Sequence, residues 1–137
     1  LNRVCIELSR KGALGVQLNW WIMAGQLNAA WAGGHGGGEE TAAMLAINPN
    51  LVYFDHMRGQ ELIDDLGADF PTMGFDRIEF GGIGIPVPRD VIKYTSNGWI
   101  GPDDPKEATQ QWGVEMLTKV ADYIANFIEA FRKAEVR

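Results

Sequence analysis

Cysteine is nearly absent. Cys5 stands alone, so no disulfide can form within the chain, and a reducing compartment such as the cytoplasm is expected. Histidine is almost as scarce, with only His35 and His56. With no cysteine pair and no His-Glu-x-x-His, three good zinc ligands cannot be assembled from these residues. Serine occurs only at Ser9 and Ser96, neither in a Gly-x-Ser-x-Gly setting. No apolar run approaches the roughly 20 residues of a transmembrane helix, and no signal-peptide pattern is visible. Basic residues are outnumbered: 12 Lys and Arg against 18 Asp and Glu leave a net charge of −6. That argues against nucleic acid or an anionic membrane surface as the main partner. There are no internal repeats and no low-complexity segment. What remains is one ordinary globular domain, 46% hydrophobic over 137 residues.

Glycine, by contrast, is plentiful, 17 of 137 residues, and concentrates in loops. The stretch that organises the chain runs from Trp31 to Pro49. Gly33, Gly34, Gly36, Gly37 and Gly38 surround His35, leaving its imidazole without bulky neighbours. The loop opens into a helix over Glu39 to Ile47, which Asn48-Pro49 closes because the residue before proline is pushed out of the helical region. Glu39 and Glu40 fall in the first turn, where the helix dipole favours their charged forms by a few tenths to about 1 kcal/mol. A carboxylate held ionised beside an imidazole suits orienting the ring, binding a metal or accepting a proton. Gly-rich loops before helices are also common, and Glu is ordinary in a first turn. Residue type alone leaves a functional His35 and a plain loop histidine both open.

On either side of this stretch the pattern is less even. Leu1, Val4, Cys5 and Leu8 share one helical face, giving a helix from Leu1 to about Lys11 with Gly12 as its C-terminal cap. That helix has no N-terminal cap, and the sequence reads as part of something longer. Leu14, Val16 and Leu18 alternate with Gly15, Gln17 and Asn19, predicting a strand from Leu14 to Trp21. A helix followed closely by a strand is half of a βαβ unit. Ile22 to Gly34 reads as loop with a helical turn at Gln26 to Ala30. Leu51 to Asp55 is either a short strand or an extended exit from the helix. Arg58 to Leu66 has room for a helical turn or two. No period holds from Gly67 to Val91, which reads as ordered loop with a strand at Arg77 to Phe80; so long a loop in a compact domain is usually functional or packs on a partner. Asp104 as N-cap, Pro105 at the first position and Glu107 two residues later predict the start of the last helix, running to about Lys133. Met116, Leu117, Val120, Ile124, Phe127, Ile128 and Phe131 are its apolar stripe, with Gly113 among them.

Several motifs lead nowhere. His35-Gly36-Gly37-Gly38 is the pattern of an esterase oxyanion loop, but the nucleophile elbow it requires is missing. Gly81-Gly82-x-Gly84 is not a dinucleotide fingerprint, because Pro86 blocks the helix that would have to follow. Asp55-His56 reads as a surface turn before it reads as a ligand pair. Trp20, Trp21, Trp31 and Trp99 lie in or beside loops, where they either wall a small planar substrate or pack the loops together.

His35-Gly36-Gly37-Gly38-Glu39-Glu40-Thr41, then Met44-Leu45-Ala46 and Pro49-Asn50-Leu51-Val52, resemble the His-Ala-Gly-x-x-Glu-Thr segment and following Pro-x-x-Val of the creatininase family of amidohydrolases. Gly98 to Pro105, Ala108-Thr109 and Gly113 resemble that family's late Gly-x-x-Gly-Asp-Pro…Ala-Thr…Gly segment, with one extra residue before the Asp-Pro pair. Order and spacing agree across most of the chain. The resemblance implies an α/β protein with a three-layer α/β/α fold and a mostly parallel sheet. Residues 1–137 would form the C-terminal portion of that single domain, its N-terminal half absent. It implies a metal-dependent hydrolase opening a C–N bond in a small cyclic amide or related polar ring, with a two-metal zinc or manganese centre and often a hexamer. The metal ligands would lie before Leu1, so none is expected here and the fragment alone would be inactive. Carried onto matching positions, His35 would shuttle protons, Glu40 would stand behind it, and Trp31, Gly36 and Gly37 would meet the substrate. Gly36 replaces the family's alanine, which would loosen the loop. A non-catalytic assembly subunit or inactive fragment of the same fold is the alternative.

Overall fold

The helices form where good helix formers meet definite stops. In the computed structural model, which describes residues 1–134, α1 spans Asn2–Arg10, α2 Trp20–Leu27, α3 Gly38–Ile47 and α4 Gln110–Phe131. As expected, α3 ends at Asn48, whose backbone turns extended before Pro49. The Asn48 side chain then accepts the Asn50 N–H and starts a short 3-10 turn, Pro49–Leu51.

The beginning of α4 differs from the sequence expectation. Asp104 caps a separate 3-10 turn, Pro105–Glu107, by accepting the Lys106 N–H at 2.9 Å. Ala108 and Thr109 then return to extended backbone. Thr109 is the true N-cap of α4, its hydroxyl accepting the Trp112 N–H at 3.1 Å.

α3 and α4 cross closely through small residues. A Cβ added to Gly113 would overlap the Ala42 carbonyl oxygen and come within 2.9 Å of the Ala46 side chain. Around this crossing lies the core. Ala24 of α2, Ala43 of α3, and Met116 and Val120 of α4 are buried together, with Trp20, Trp31, Leu117 and Ile124 packed against them. Ala42, Leu45 and Ala108 form a second cluster beneath Val52 and Trp112. Full burial of a side chain the size of Met116 contributes about 1.5–3 kcal/mol. Further along the α4 stripe, Ile128 is half exposed and Phe127 stacks on Phe131.

The strand expected at Leu14 to Trp21 is not formed. Residues 13–19 carry no regular structure, and Trp20 already begins α2. Alternation prepares a segment for a sheet, but a strand exists only when a neighbour completes its hydrogen-bond ladder. No such neighbour stands among the described residues, and Leu14, Val16 and Leu18 remain substantially exposed. The sheet that is present is small and antiparallel, not parallel: β1, Arg77–Phe80, pairs with β2, Ile83–Pro86. Gly81 and Gly82, at φ +60° and +81°, make the two-residue hairpin turn. α4 packs on α3 and α2, and neither it nor α1 covers a sheet of the kind expected. The described chain thus combines helices with a two-stranded sheet, an α/β composition.

Two shorter expectations also change. Leu51 to Asp55 gives 3-10 turns at Pro49–Leu51 and Phe54–His56 rather than a strand. Arg58 to Leu66 is not helical; Leu62 bridges Thr95, and the Ile63 N–H donates to the Tyr94 carbonyl at 2.8 Å. Tyr94 anchors this region. It is fully buried, its hydroxyl accepts the Arg89 N–H and donates to the Val87 carbonyl, and the Arg89 guanidinium lies over its ring. α1 stands apart and buries none of its residues. No helix among the described residues is long and apolar enough to cross a membrane.

Candidate active site

The loop bearing His35 is held by its own backbone. The His35 carbonyl accepts N–H groups from both Ile100 and Gly101, at 2.8 and 3.0 Å. Gly36 adopts φ +69°, and a side chain there would meet the Gly98 carbonyl oxygen at 2.5 Å. Gly34 lies against Gly101 so closely that an added Cβ would come within 2.6 Å of its Cα. Glycine therefore interlocks this loop with residues 98–101. The loosening expected from Gly36 does not occur, because the freedom of glycine is spent on close approach. The Thr41 hydroxyl adds a bond to the Gly37 carbonyl at 2.8 Å.

Three carboxyls surround the loop. Glu40 Oε2 accepts the Gly36 N–H at 2.8 Å and lies 4.0 Å from His35 Nδ1. Asp103 accepts the Gly34 N–H at 3.1 Å through one oxygen and the Glu39 N–H at 3.0 Å through the other, so it ties the loop to the start of α3. Glu39 is buried, only 3% exposed. Burial first, then the negative charges of Asp103 and Glu40, push its pKa from an ordinary 4.5 up to about 7; only the Gly33 N–H opposes the rise. The charged first-turn pair expected from the sequence thus fails at Glu39, because desolvation outweighs a helix dipole worth at most about 1 kcal/mol there.

A cavity of about 410 Å³ opens at this point. His35, Glu39 and Glu40 supply its polar side, and Trp21 and Phe75 its apolar side. The Phe75 ring lies 5.5 Å from the imidazole and 5.7 Å from the buried Tyr94 ring, tilted against both, so the middle of the chain reaches the histidine through aromatic contacts. His35 and Glu40 are therefore brought together at one cavity, with Gly36 and Gly37 in the loop beside them. Trp31 is not among the residues lining it; its indole packs against the Ala24–Met116 core. The indole at the cavity belongs to Trp21. His56 lines a separate cavity with Arg58 and Glu61 and stacks on Tyr53.

Residues 1–128 match the family described as creatininase, creatinine amidohydrolase. The chain belongs to the creatininase family. No curated protein and no solved structure gives a significant match. Membership assigns a hydrolase acting on amides, in a family whose members are generally metal-dependent. The described residues of this creatininase-family chain do not themselves fit a metal centre: no group of three or more His, Cys, Asp or Glu side chains converges. The nearest set is already committed, since both Asp103 oxygens accept backbone N–H groups.

Sequence reasoning named Trp21 only as one of four loop tryptophans that could wall a substrate, and passed over Asp103 and Phe75. Asp103 had a signal, because it lies inside the Gly98–Pro105 segment that carries the family resemblance. Phe75 had none: it stands 40 positions from His35, in a stretch without periodicity.

Proposed function

We propose that this chain contributes the proton-transfer side of a creatininase-like site that hydrolyses the C–N bond of a small cyclic amide or related polar ring. The observation that carries the reading is the pairing of His35 with Glu40 at the mouth of a cavity with aromatic walls. Amide hydrolysis needs a proton removed from the attacking water and delivered to the leaving nitrogen, and an imidazole within reach of both can do each in turn. With Nδ1 facing Glu40, Nε2 is the nitrogen left to carry that proton. Glu40 fixes the Gly36 backbone and stabilises the positive charge His35 acquires in transit. Trp21 and Phe75 supply flat apolar surface for a ring, with Gly36 and Gly37 beside it in the His35 loop. Trp31 packs against the core that includes Ala24 of α2, the helix that carries Trp21.

The three-layer α/β/α architecture belongs to the same proposal. The unpaired alternation of Leu14, Val16 and Leu18 supports it, as residues prepared for a larger sheet. Zinc or manganese, which family chemistry calls for, would take its ligands from residues other than those described, and no step is derived through it. Assembly into a homo-oligomer in a reducing compartment would cover the apolar side chains of α1. The alternative, a non-catalytic assembly subunit or inactive fragment, draws on the missing ligand set. Metal content separates the two, since the enzyme requires bound divalent metal.

The deciding experiment is His35→Asn in the metal-loaded, full-length enzyme. Fold and metal content should persist while turnover falls by about 10²–10⁴-fold. A rate within a few-fold of the parent would make His35 a loop residue. Glu40→Gln should lose less, because it only loosens the orientation of the group that moves the proton. Residues 1–137 by themselves should hydrolyse nothing, and metal-stimulated turnover by them would overturn the placement of the ligands elsewhere.

A further inference from the structure

The two side chains closest to Gly33 are both acidic. A Cβ built on Gly33 would stand 2.5 Å from Glu39 Oε2 and 2.6 Å from Asp103 Oδ2, so two carboxyl oxygens converge on one glycine. Their surroundings differ. Asp103 uses both oxygens as acceptors for the N–H groups of Gly34 and Glu39. Glu39 is nine-tenths buried or more, its carboxyl takes the backbone N–H of Gly33 as a partner, and it lines the cavity that holds His35. The ionisable groups facing it are Asp103 from the 97–104 loop, Glu40 from its own helix and His35 across the cavity. A third negative charge, at Glu39, is opposed by burial and by both acidic neighbours.

We propose that Glu39 faces the cavity as a neutral carboxylic acid and donates a hydrogen bond to an acceptor atom of the substrate. The inference rests on reading this cavity as the substrate site, and it narrows the substrate class to an uncharged ring with an exposed carbonyl oxygen or ring nitrogen. No covalent bond is made or broken at Glu39. Two carboxyls with opposed environments thereby divide the work: Glu39 donates, while Glu40 accepts the Gly36 N–H and faces the imidazole. Ionisation of Glu39 removes the donor and leaves a negative charge facing the substrate's acceptor. Affinity should then fall by about tenfold per pH unit above 7.

Infrared spectroscopy of the metal-loaded, full-length enzyme labelled with ¹³C-glutamate tests this, with creatinine as the probe. At pH 6 the spectrum should contain a protonated-carboxyl stretch that disappears as pH rises through 7. That band should be absent in Glu39→Gln and persist in Glu40→Gln, so the assignment stands even if one variant fails to fold. Adding creatinine should move the band to lower frequency. Absence of the band at pH 6 overturns the proposal and leaves the role of His35 intact. A band that creatinine does not move, while creatinine shifts the His35 ring resonances in NMR, overturns the donor role alone. If creatinine perturbs neither group across the pH range, the cavity is not the substrate site and both readings fall.

Discussion

Around Gly33–Ile47 and the start of α4, an added methyl group has nowhere to go. At the end of α1 and in the hairpin turn it touches nothing. At Gly113, Gly34, Gly36 and Gly37 a new Cβ would strike backbone or the Asp103 carboxyl, whereas at Gly12, Gly81 and Gly82 the surrounding space is empty. The first region bonds across long stretches of sequence, with Asp103 reaching back to Gly34 and Glu39. α1 is held by local contacts, such as the cap bonds of Lys11 and the approach of Gly15 to Cys5. Precision at the His35 loop therefore comes from the absence of side chains, which lets two loops and two helices meet backbone to backbone. In the outer region Gly12, Gly81 and Gly82 serve turn geometry at positive φ, and apolar side chains such as Val4 and Ile83 stay exposed.

The largest expected effect comes from filling the tight region. Gly113→Val should destabilise the chain by about 3 kcal/mol or more, since the α3–α4 crossing would have to open; circular dichroism melting would show it. If melting is unchanged, the close crossing is not what holds the loop. Next, Asp103→Ala should cost about 1–3 kcal/mol for each buried N–H it leaves unpaired, Gly34 and Glu39. It should also broaden the His35 resonances in NMR as the loop is released, and sharp resonances would show that other bonds suffice.

A third, smaller effect depends on pH. Folded Glu39 keeps its proton up to about pH 7, while the unfolded chain releases it near 4.5. Between those values the folded state holds more protons, so its stability falls as pH rises. The contribution is complete below about pH 4.5 and lost once pH passes 7. Relative to Glu39→Gln, the parent's melting temperature should drop by a few degrees from pH 4.5 to pH 8. Parallel curves would mean that Glu39 is ionised throughout. The smallest effect belongs to the outer region: Val4→Ser in α1, where Val4 is exposed, should change stability by no more than about 0.5 kcal/mol. A larger loss would show that α1 packs on something in solution.

How far these features could be read beforehand varies with their physical origin. α3 was legible from Glu39 to Ile47 because helix formers end at Asn48-Pro49, a local steric stop. β1 was legible, whereas β2 was not, since Gly84 and Pro86 carry poor strand propensity and only pairing with β1 defines it. Thr109 was missed as the cap of α4 because Asp104-Pro105 offers an equally good local signal, which the chain uses for a turn. His35 and Glu40 stood out through spacing within one loop and helix. Trp31 drew attention by its place in the sequence, yet the core holds it and Trp21 reaches the cavity.

The sequence by itself determined the family, the glycine loop around His35, the first-turn carboxylates and the boundaries set by proline and asparagine. These depend on covalent geometry and on neighbours a few residues away. Only the tertiary structure decided that Gly36 tightens the loop, that Asp103 ties it to α3, and that burial beside Asp103 and Glu40 pushes the Glu39 carboxyl up. Each of those follows from dense packing between segments some 60 residues apart, and burial and charge proximity have no counterpart in local sequence.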